Sequence, residues 1–307
     1  MTEQNVTLRV RNVTKRYGEF TAVENLSFNI EAGKVFGFLG PNGAGKTTTI
    51  RMIVGITAPD TGEIELYGKK VSSALQDKIG YLPEERGLYK KMKIFEQLRY
   101  FAALKDIPQK KADERIDFWL ERFNLQAWKK KKANDLSKGM QQKIQFISTV
   151  LHEPDLLILD EPFSGLDPIN VEALLEVIAE LKEKGKTIIF STHLMETAEK
   201  LCDDIILMNK SKKVVGGKLR DVKASFGKNR IALRANGGDE VLLDKTLIAK
   251  VERHADELEI LLAENADAQN LLQKLIQSGA RITKFELVEP SLNDIFIEKI
   301  GAGTSSI

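Results

Sequence analysis

Lys34-Val-Phe-Gly-Phe-Leu-Gly40-Pro-Asn-Gly-Ala-Gly-Lys-Thr47 is the stretch that decides the fold. Its apolar first half reads as a short strand. Its second half fits G-x-x-x-x-G-K-[ST], and residues 46–54 continue with helical composition. Strand, glycine loop and helix in that order make an anion site, because inward-turned backbone N–H groups and the positive end of the helix meet at one point. Lys46 is expected to reach the outer phosphates of a bound phosphate chain, and the Thr47 hydroxyl to complete the coordination of Mg²⁺. From composition alone the pattern should arise in about one in a hundred chains of this length, so chance is a weak rival.

Working outward, residues 6–30 are rich in Val, Thr and Phe and are interrupted at Tyr17-Gly18-Glu19, which predicts two antiparallel strands. Further short strands are expected over 63–67 and 79–82. After Gly87 the period changes: Ile94, Leu98 and Phe101, then Ile116, Leu120 and Phe123, recur at helical spacing. A helical insert is therefore predicted, followed by a helix to about residue 152 with Ser137 as its cap. Strands over 156–159, 186–190 and 204–208 alternate with helices over 171–184 and 194–201, the pattern of a parallel α/β sheet.

Residues 210–230 hold eight Lys or Arg and one acid, Asp221, with glycines at 216, 217 and 227. This reads as a solvated edge and a domain junction. Beyond it, strands near 231–234, 258–262 and 281–289 with helices over 266–278 and from 291 predict a small α+β unit.

Two further segments carry chemistry. Leu156-Leu-Ile-Leu-Asp160-Glu161 places two carboxylates at the end of a hydrophobic strand, the edge where parallel sheets present ligands. Asp160 is expected to hold Mg²⁺, and Glu161 to polarise a water for attack. Leu136-Ser-Lys-Gly-Met140 opens a helix with a hydroxyl and a glycine N–H, which makes it a second anion site. His193, closing Ser191-Thr-His, falls on the same sheet edge as Glu161.

Composition limits the alternatives. The 46 Lys+Arg nearly balance 44 Asp+Glu, for a formal charge of +2, so a whole-surface grip on nucleic acid is disfavoured. Cys202 is the single cysteine and cannot form an internal disulfide. The N-terminus lacks the apolar run of an export leader, and no stretch of about 18 apolar residues is free of charge. Action at a membrane is then expected through a membrane-spanning partner.

The ordered set Gly40–Thr47, Leu136–Met140, Leu156–Glu161, Ser164-Gly-Leu-Asp167 and His193 resembles the ATP-binding subunit of ABC transporters over about residues 5–215. The resemblance implies a P-loop NTPase of the α/β class: a mixed sheet core, an antiparallel β subdomain and an α-helical subdomain at about 88–140. It places this ATPase domain over 1–220 and a small α+β accessory domain over 221–307. The C-terminal unit, ending Glu289-Pro-Ser-Leu-Asn-Asp-Ile-Phe-Ile-Glu298, resembles the domain found after sodium-extrusion and drug-resistance type ABC ATPases.

The implied function is ATP hydrolysis driving export through a separate transmembrane permease at the cytoplasmic face of the membrane. ATP would lie on Gly40, Pro41, Asn42, Gly43, Ala44, Gly45, Lys46, Thr47 and Thr48, with Tyr17 stacked on adenine. Two subunits, identical or different, would pair head to tail, so that Ser137 and Gly139 of one contact the γ-phosphate held by the other. Catalysis would rest on Glu161, His193 and Lys46, coupling on Glu84 and Asp167, and Mg²⁺ on Thr47, Asp160 and Glu84.

Two departures qualify the match. Lys138 and Met140 replace the third and fifth residues of the usual L-S-G-G-Q, and Glu84, or Glu85 in a competing alignment, stands where a glutamine is expected after Tyr81-Leu-Pro83. The aromatics Phe95, Phe101, Trp119 and Trp128 would line a groove for the permease or lie in the core. A soluble or regulatory ABC-type ATPase is the alternative. A GTPase is disfavoured, since Asn209-Lys-Ser-Lys lacks the acid that reads guanine.

Overall fold

Alternating burial opens the described chain. β1 (Val6–Tyr17) and β2 (Phe20–Glu31) form an antiparallel hairpin whose inward residues include Leu8, Val10, Val23 and Leu26. The computed structural model describes residues 6–85, 87–227, 229–254, 256–264 and 266–301. The first five residues, part of the N-terminus read above for an export leader, and the last six of the expected accessory domain lie outside the described residues.

β3 (Val35–Leu39) follows and feeds α1 (Lys46–Ile53). β4 (Thr61–Leu66) and β5 (Lys69–Lys70) complete a four-stranded antiparallel sheet ordered β2-β1-β4-β5. After β6 (Ile79–Leu82) come α2 (Ile94–Ala103), α3 (Gln109–Arg122) and α4 (Lys138–Val150). Then β7 (Leu156–Asp160), α5 (Pro168–Glu183), β8 (Thr187–Thr192), α6 (Met195–Leu201) and β9 (Asp204–Asn209) alternate.

The central sheet runs β10-β9-β3-β8-β7-β6, with β10 at Lys212–Lys218. All neighbours are parallel except β10, which pairs antiparallel with β9. Every residue of β3, β7 and β8 is buried, the signature of parallel strands covered on both faces. Register fixes the functional edge: Leu39 pairs with Thr192 and Asp160 with Ser191, so the loops leaving β3, β7 and β8 emerge side by side. Beneath that edge, Phe28, Phe36 and Phe38 have ring centroids 5.3 Å apart in each pair.

The chain divides into compact units at Leu219/Arg220. In the second, α7 (Leu219–Ser225) leads to β11 (Arg230–Asn236), α8 (Asp239–Leu242), β12 (Ile248–His254), β13 (Glu257–Leu262), α9 (Ala268–Gln277), β14 (Arg281–Val288) and α10 (Leu292–Gly301). Its antiparallel sheet is ordered β12-β13-β11-β14. Ile231, Leu233, Ile260, Leu271 and Leu275 form its core, and α9 buries Leu271 and Leu275 completely.

Two strands escape the sequence reading. The lysine- and glycine-rich start of the 210–230 stretch, read as a solvated edge, forms the edge strand β10. Lysines suit a solvent-facing edge. Gly216 suits a close approach, since a Cβ there would lie 3.1 Å from the Ile205 carbonyl oxygen. The strand Ile248–His254 went unread because Ile-Ala-Lys-Val-Glu-Arg-His shows no clean alternation.

Phe38 is fully buried, whereas Ile169 is 82% exposed. Phe38→Ala should cost about 3–5 kcal/mol, and Ile169→Ala should change stability by no more than about 0.5 kcal/mol. Urea unfolding followed by tryptophan fluorescence reads this unit, because both tryptophans, Trp119 and Trp128, lie in it.

Candidate active site

The phosphate loop is shaped by contacts that only glycine allows. Gly40 sits at φ +142, where a Cβ would come within 2.2 Å of the Met208 carbonyl oxygen. Gly45, the N-cap of α1, sits at φ +103, and its Cβ would lie 2.4 Å from the Ala22 carbonyl oxygen. Pro41, Asn42 and Gly43 form the exposed rim, Ala44 is buried, and Thr47 and Thr48 are half-buried. The Thr49 hydroxyl donates to the Gly45 carbonyl at 2.9 Å and ties the loop to the first turn.

Lys46 is buried and curls back over this loop. Its ammonium donates to the carbonyl oxygens of Gly40 at 2.7 Å and Pro41 at 3.2 Å and lies 3.4 Å from Glu161 Oε1. The β7–β8 register brings the carboxylates to the same place. Thr47 Oγ1 donates to Asp160 Oδ1 at 3.2 Å, and the Ser191 hydroxyl donates to the same oxygen at 2.5 Å. Burial pushes the Asp160 carboxyl up, against the pull of these two hydrogen bonds; the Glu161 charge adds to the rise and Lys46 opposes it.

Glu161 occupies the left-handed region at φ +47, rare for a side chain larger than glycine. The turn is held because its N–H reaches both Ser191 Oγ at 3.0 Å and the Ser191 carbonyl at 3.2 Å. Its Oε2 meets His193 Nδ1 at 3.1 Å; the His193 side chain is half exposed and that of Glu161 almost fully enclosed. Two buried carboxylate oxygens, Asp160 Oδ2 and Glu161 Oε1, have no hydrogen-bond partner among the described residues. Glu161 Oε1 does face the Lys46 ammonium, an ion pair without hydrogen-bond geometry. A buried acceptor left open in this way fits a cation or a water.

Lys46, Thr47, Asp160, Glu161 and His193 therefore form one connected cluster. Ser191 belongs to it as well, and sequence reasoning passed over it in favour of His193, two residues on. Its signal was its place in Ser-Thr-His, opposite Asp160 in the register.

The other expected residues stand apart from this cluster. Ser137 is exposed and caps α4, accepting the Met140 N–H at 3.2 Å. Gly139 abuts Leu166 and Asn170. Asp167 caps α5, accepting the Asn170 N–H at 2.9 Å, and its carboxyl is held below the usual range by that bond first. Tyr17 is 49% exposed at the end of β1. No hydrogen bond or ion pair joins Ser137, Gly139, Asp167 or Tyr17 to the phosphate loop among the described residues. Glu84 is exposed in a turn pinned by Gln145 Nε2, which donates to the carbonyls of Pro83 at 3.3 Å and Glu85 at 3.0 Å.

Beside that turn lies a cavity of 390 Å³ lined by Val54, Tyr81, Leu88, Phe101, Leu104 and His152, among others. Burial pushes the Tyr81 hydroxyl up to about 12, with the charges of Asp160 and Glu84 adding to it. Of the four aromatics read as groove or core, Phe101 alone lines this cavity. Phe95 lies beneath Arg99 and Lys129 at 4.3 and 4.2 Å, Trp119 packs in the core against Phe123 and Phe146, and Trp128 is half-buried elsewhere.

Comparison with known proteins identifies this arrangement. Residues 23–164 match the ABC transporter family and residues 217–300 the family described as ATP-binding protein DrrA1-3-like, C-terminal domain. An ABC transporter ATP-binding protein of Bacillus subtilis (strain 168), YhaQ, is 48% identical over 96% of this chain and 99% of its own length. The bacitracin transport ATP-binding protein BcrA of Bacillus licheniformis is 35% identical over 97% of this chain and 98% of its own length. A solved dimeric bacterial ABC transporter cassette superposes with a TM-score of 0.65 at 25% identity, covering 69% of this chain and 99% of that one. The chain belongs to the ABC transporter ATP-binding proteins, the ATP-hydrolysing subunits of ABC transporters, and carries a DrrA1-3-like C-terminal domain.

Proposed function

We propose that two copies of this chain pair head to tail around two ATP molecules and drive export through a separate permease at the cytoplasmic face of the membrane. The observation that carries the pairing is the separation of the two anion sites within one chain. Lys46 and its carboxylates are enclosed together, while Ser137 stands exposed and Gly139 half-buried at the start of α4, with no hydrogen bond or ion pair to them among the described residues. A second copy supplies what the first lacks, and because one chain carries both halves, two copies make two equal sites. The dimeric cassette with the same fold supports this reading. The exposed Tyr17 ring, with the Lys15 ammonium 5.5 Å from its centroid, would stack on adenine, and Asp167, one residue beyond the Leu166 that Gly139 abuts, would couple the sites.

Within each site, Lys46 turns its ammonium from the loop carbonyls to the outer phosphates, and the N–H groups of residues 43–48 add dipoles of the same sign. Thr47 and Asp160 fit Mg²⁺, with the open Asp160 Oδ2 as the available oxygen. No group of three or more His, Cys, Asp or Glu able to hold a metal occurs among the described residues, which matches an ion that takes phosphate oxygens and waters for its remaining ligands. Bound there, Mg²⁺ would neutralise charge on the β- and γ-phosphates. Glu84, exposed in the turn after β6, would be a further carboxylate toward the same ion.

Glu161 is aimed by its turn so that one oxygen meets His193 and the other points into the site. It orients a water and accepts its proton as the γ-phosphate leaves. His193, the exposed partner, senses that phosphate and holds Glu161 in place. Loss of the phosphate removes the anion shared by the two chains and lets them part.

No described helix is long and apolar enough to cross a membrane, so transport requires a membrane-spanning partner. The cavity between β6 and the helical region, next to the Glu84 turn, is where that permease docks. Export follows a relative named Nod factor export ATP-binding protein I, of Cupriavidus metallidurans, 32% identical over 96% of this chain, and the soluble or regulatory alternative finds no support among the relatives.

Glu161→Gln keeps the shape and loses the base. ATP binding should persist while phosphate release falls about 10²–10⁴-fold, with a dimer trapped by ATP on size exclusion. Turnover at the wild-type rate would remove Glu161 from this role. Asp160 gives a separate check. Its folded pKa lies above the unfolded value, so it contributes stability at low pH that is lost as pH rises through the folded pKa. At pH 7 the ionised carboxylate opposes folding. Asp160→Asn should therefore raise the thermal midpoint of the nucleotide-free protein at pH 7, with the gain shrinking as pH falls through the raised folded pKa toward the ordinary carboxylate range, while abolishing Mg²⁺-dependent hydrolysis. A lowered midpoint at pH 7 would contradict this.

A further inference from the structure

The helical region of the ATPase unit carries a concentration of positive charge that catalysis does not use. Residues 90–95 and 129–134 run side by side: Ile94 N–H donates to the Lys131 carbonyl at 2.9 Å, Asn134 N–H to the Lys90 carbonyl at 3.1 Å, and Lys93 bridges Lys132. These two segments hold seven lysines, at 90, 91, 93, 129, 130, 131 and 132, and no Asp or Glu. The whole chain carries a net charge of only +2, so the band is local and not a reflection of composition.

Lys129 is paired with Asp117 and Lys93 with Glu96. Lys90, Lys91, Lys130 and Lys131 are exposed and have no carboxylate within ion-pair distance among the described residues. Like charges held on neighbouring segments repel, and the fold keeps them there rigidly. Buried Gln97 accepts the Tyr89 N–H at 2.7 Å and fixes the start of the band. Tyr89, 52% exposed, and Tyr100, 43% exposed, flank it with ring centroids 5.9 Å apart.

Exposed tyrosines beside clustered lysines suit the headgroup layer of a bilayer, where an amphipathic ring and an ammonium on a flexible stem both find partners. We propose that this lysine band binds anionic phospholipid headgroups and lays the ATPase unit against a negatively charged membrane surface. Leu88, next to Tyr89, lines the cavity assigned above to the permease. The placement of the band beside the permease rests on that assignment; lipid binding itself does not.

The test is flotation of the full chain with vesicles of phosphatidylglycerol mixed into phosphatidylcholine, and with phosphatidylcholine alone. The wild type should float with the anionic vesicles at low salt, stay behind with neutral ones, and be released near 1 M salt, where screening acts within about 3 Å. Replacing Lys90, Lys91, Lys130 and Lys131 together by Glu should weaken anionic-vesicle binding at least about 10-fold, each lysine near such a surface being worth about a factor of five. ATP hydrolysis by the free protein should be unchanged, which shows that the variant is folded. A milder set with Gln at the same four positions carries the same direction of effect. Equal flotation of wild type and both variants, equal binding to neutral vesicles, or preferential capture by a single-stranded oligonucleotide in competition with the anionic vesicles would overturn the proposal. Failure of the permease to co-purify with a chain that still binds these vesicles would instead count against the docking assignment alone.

Discussion

A buried meeting of opposite charges organises this protein. Lys46 closes on Glu161 at 3.4 Å while Asp160 is held by two hydroxyls, all at the end of strands covered on both faces. Charges out of water are expensive unless each finds a partner. Here the pairing is incomplete, since Asp160 Oδ2 and Glu161 Oε1 lack hydrogen bonds among the described residues. On the proposed function, a phosphate would complete the ammonium's partners, and a cation and a water those of the carboxylates. The parallel core makes this possible by placing the loops after β3, β7 and β8 at one edge in fixed register.

Strain and glycine complete the device. The Gly40 and Gly45 conformations and the left-handed turn at Glu161 hold backbone where side chains rarely allow it. Ser191 serves both carboxylates at once, giving its proton to Asp160 and accepting the Glu161 N–H. Ser137 caps its helix, and Gly139 two residues on lies against the segment that carries Asp167. On the proposed function, each chain would offer one enclosed set of phosphate ligands and one open set.

Much of this was legible in the sequence, for physical reasons. The Gly40–Thr47 loop is readable because its geometry demands particular residue types at fixed spacing. The Ser137 cap and the hydrophobic run ending at Asp160 are readable because local bonding and burial dictate them. What escaped depends on neighbours distant in the chain. Ser191 matters only through its register with Asp160. The strand at Lys212–Lys218 is stabilised by pairing with β9 against its own glycine and lysine content. Phe95 and Trp119 share the aromatic character of Phe101, but tertiary packing alone decides which ring meets the cavity. The lysine band is likewise invisible until two segments some forty residues apart in sequence are laid side by side.

The central claim is that the phosphate loop of one copy and Ser137 of another close on the same nucleotide. Cys202, the only cysteine, is buried, so new thiols can be followed against a quiet background. Asn42→Cys chains mixed with Ser137→Cys chains, both in a form unable to hydrolyse ATP, should give an intermolecular disulfide that requires ATP and both variants. No ATP-dependent disulfide between the two chains, or cross-linking equally efficient in either variant alone, would contradict the shared site.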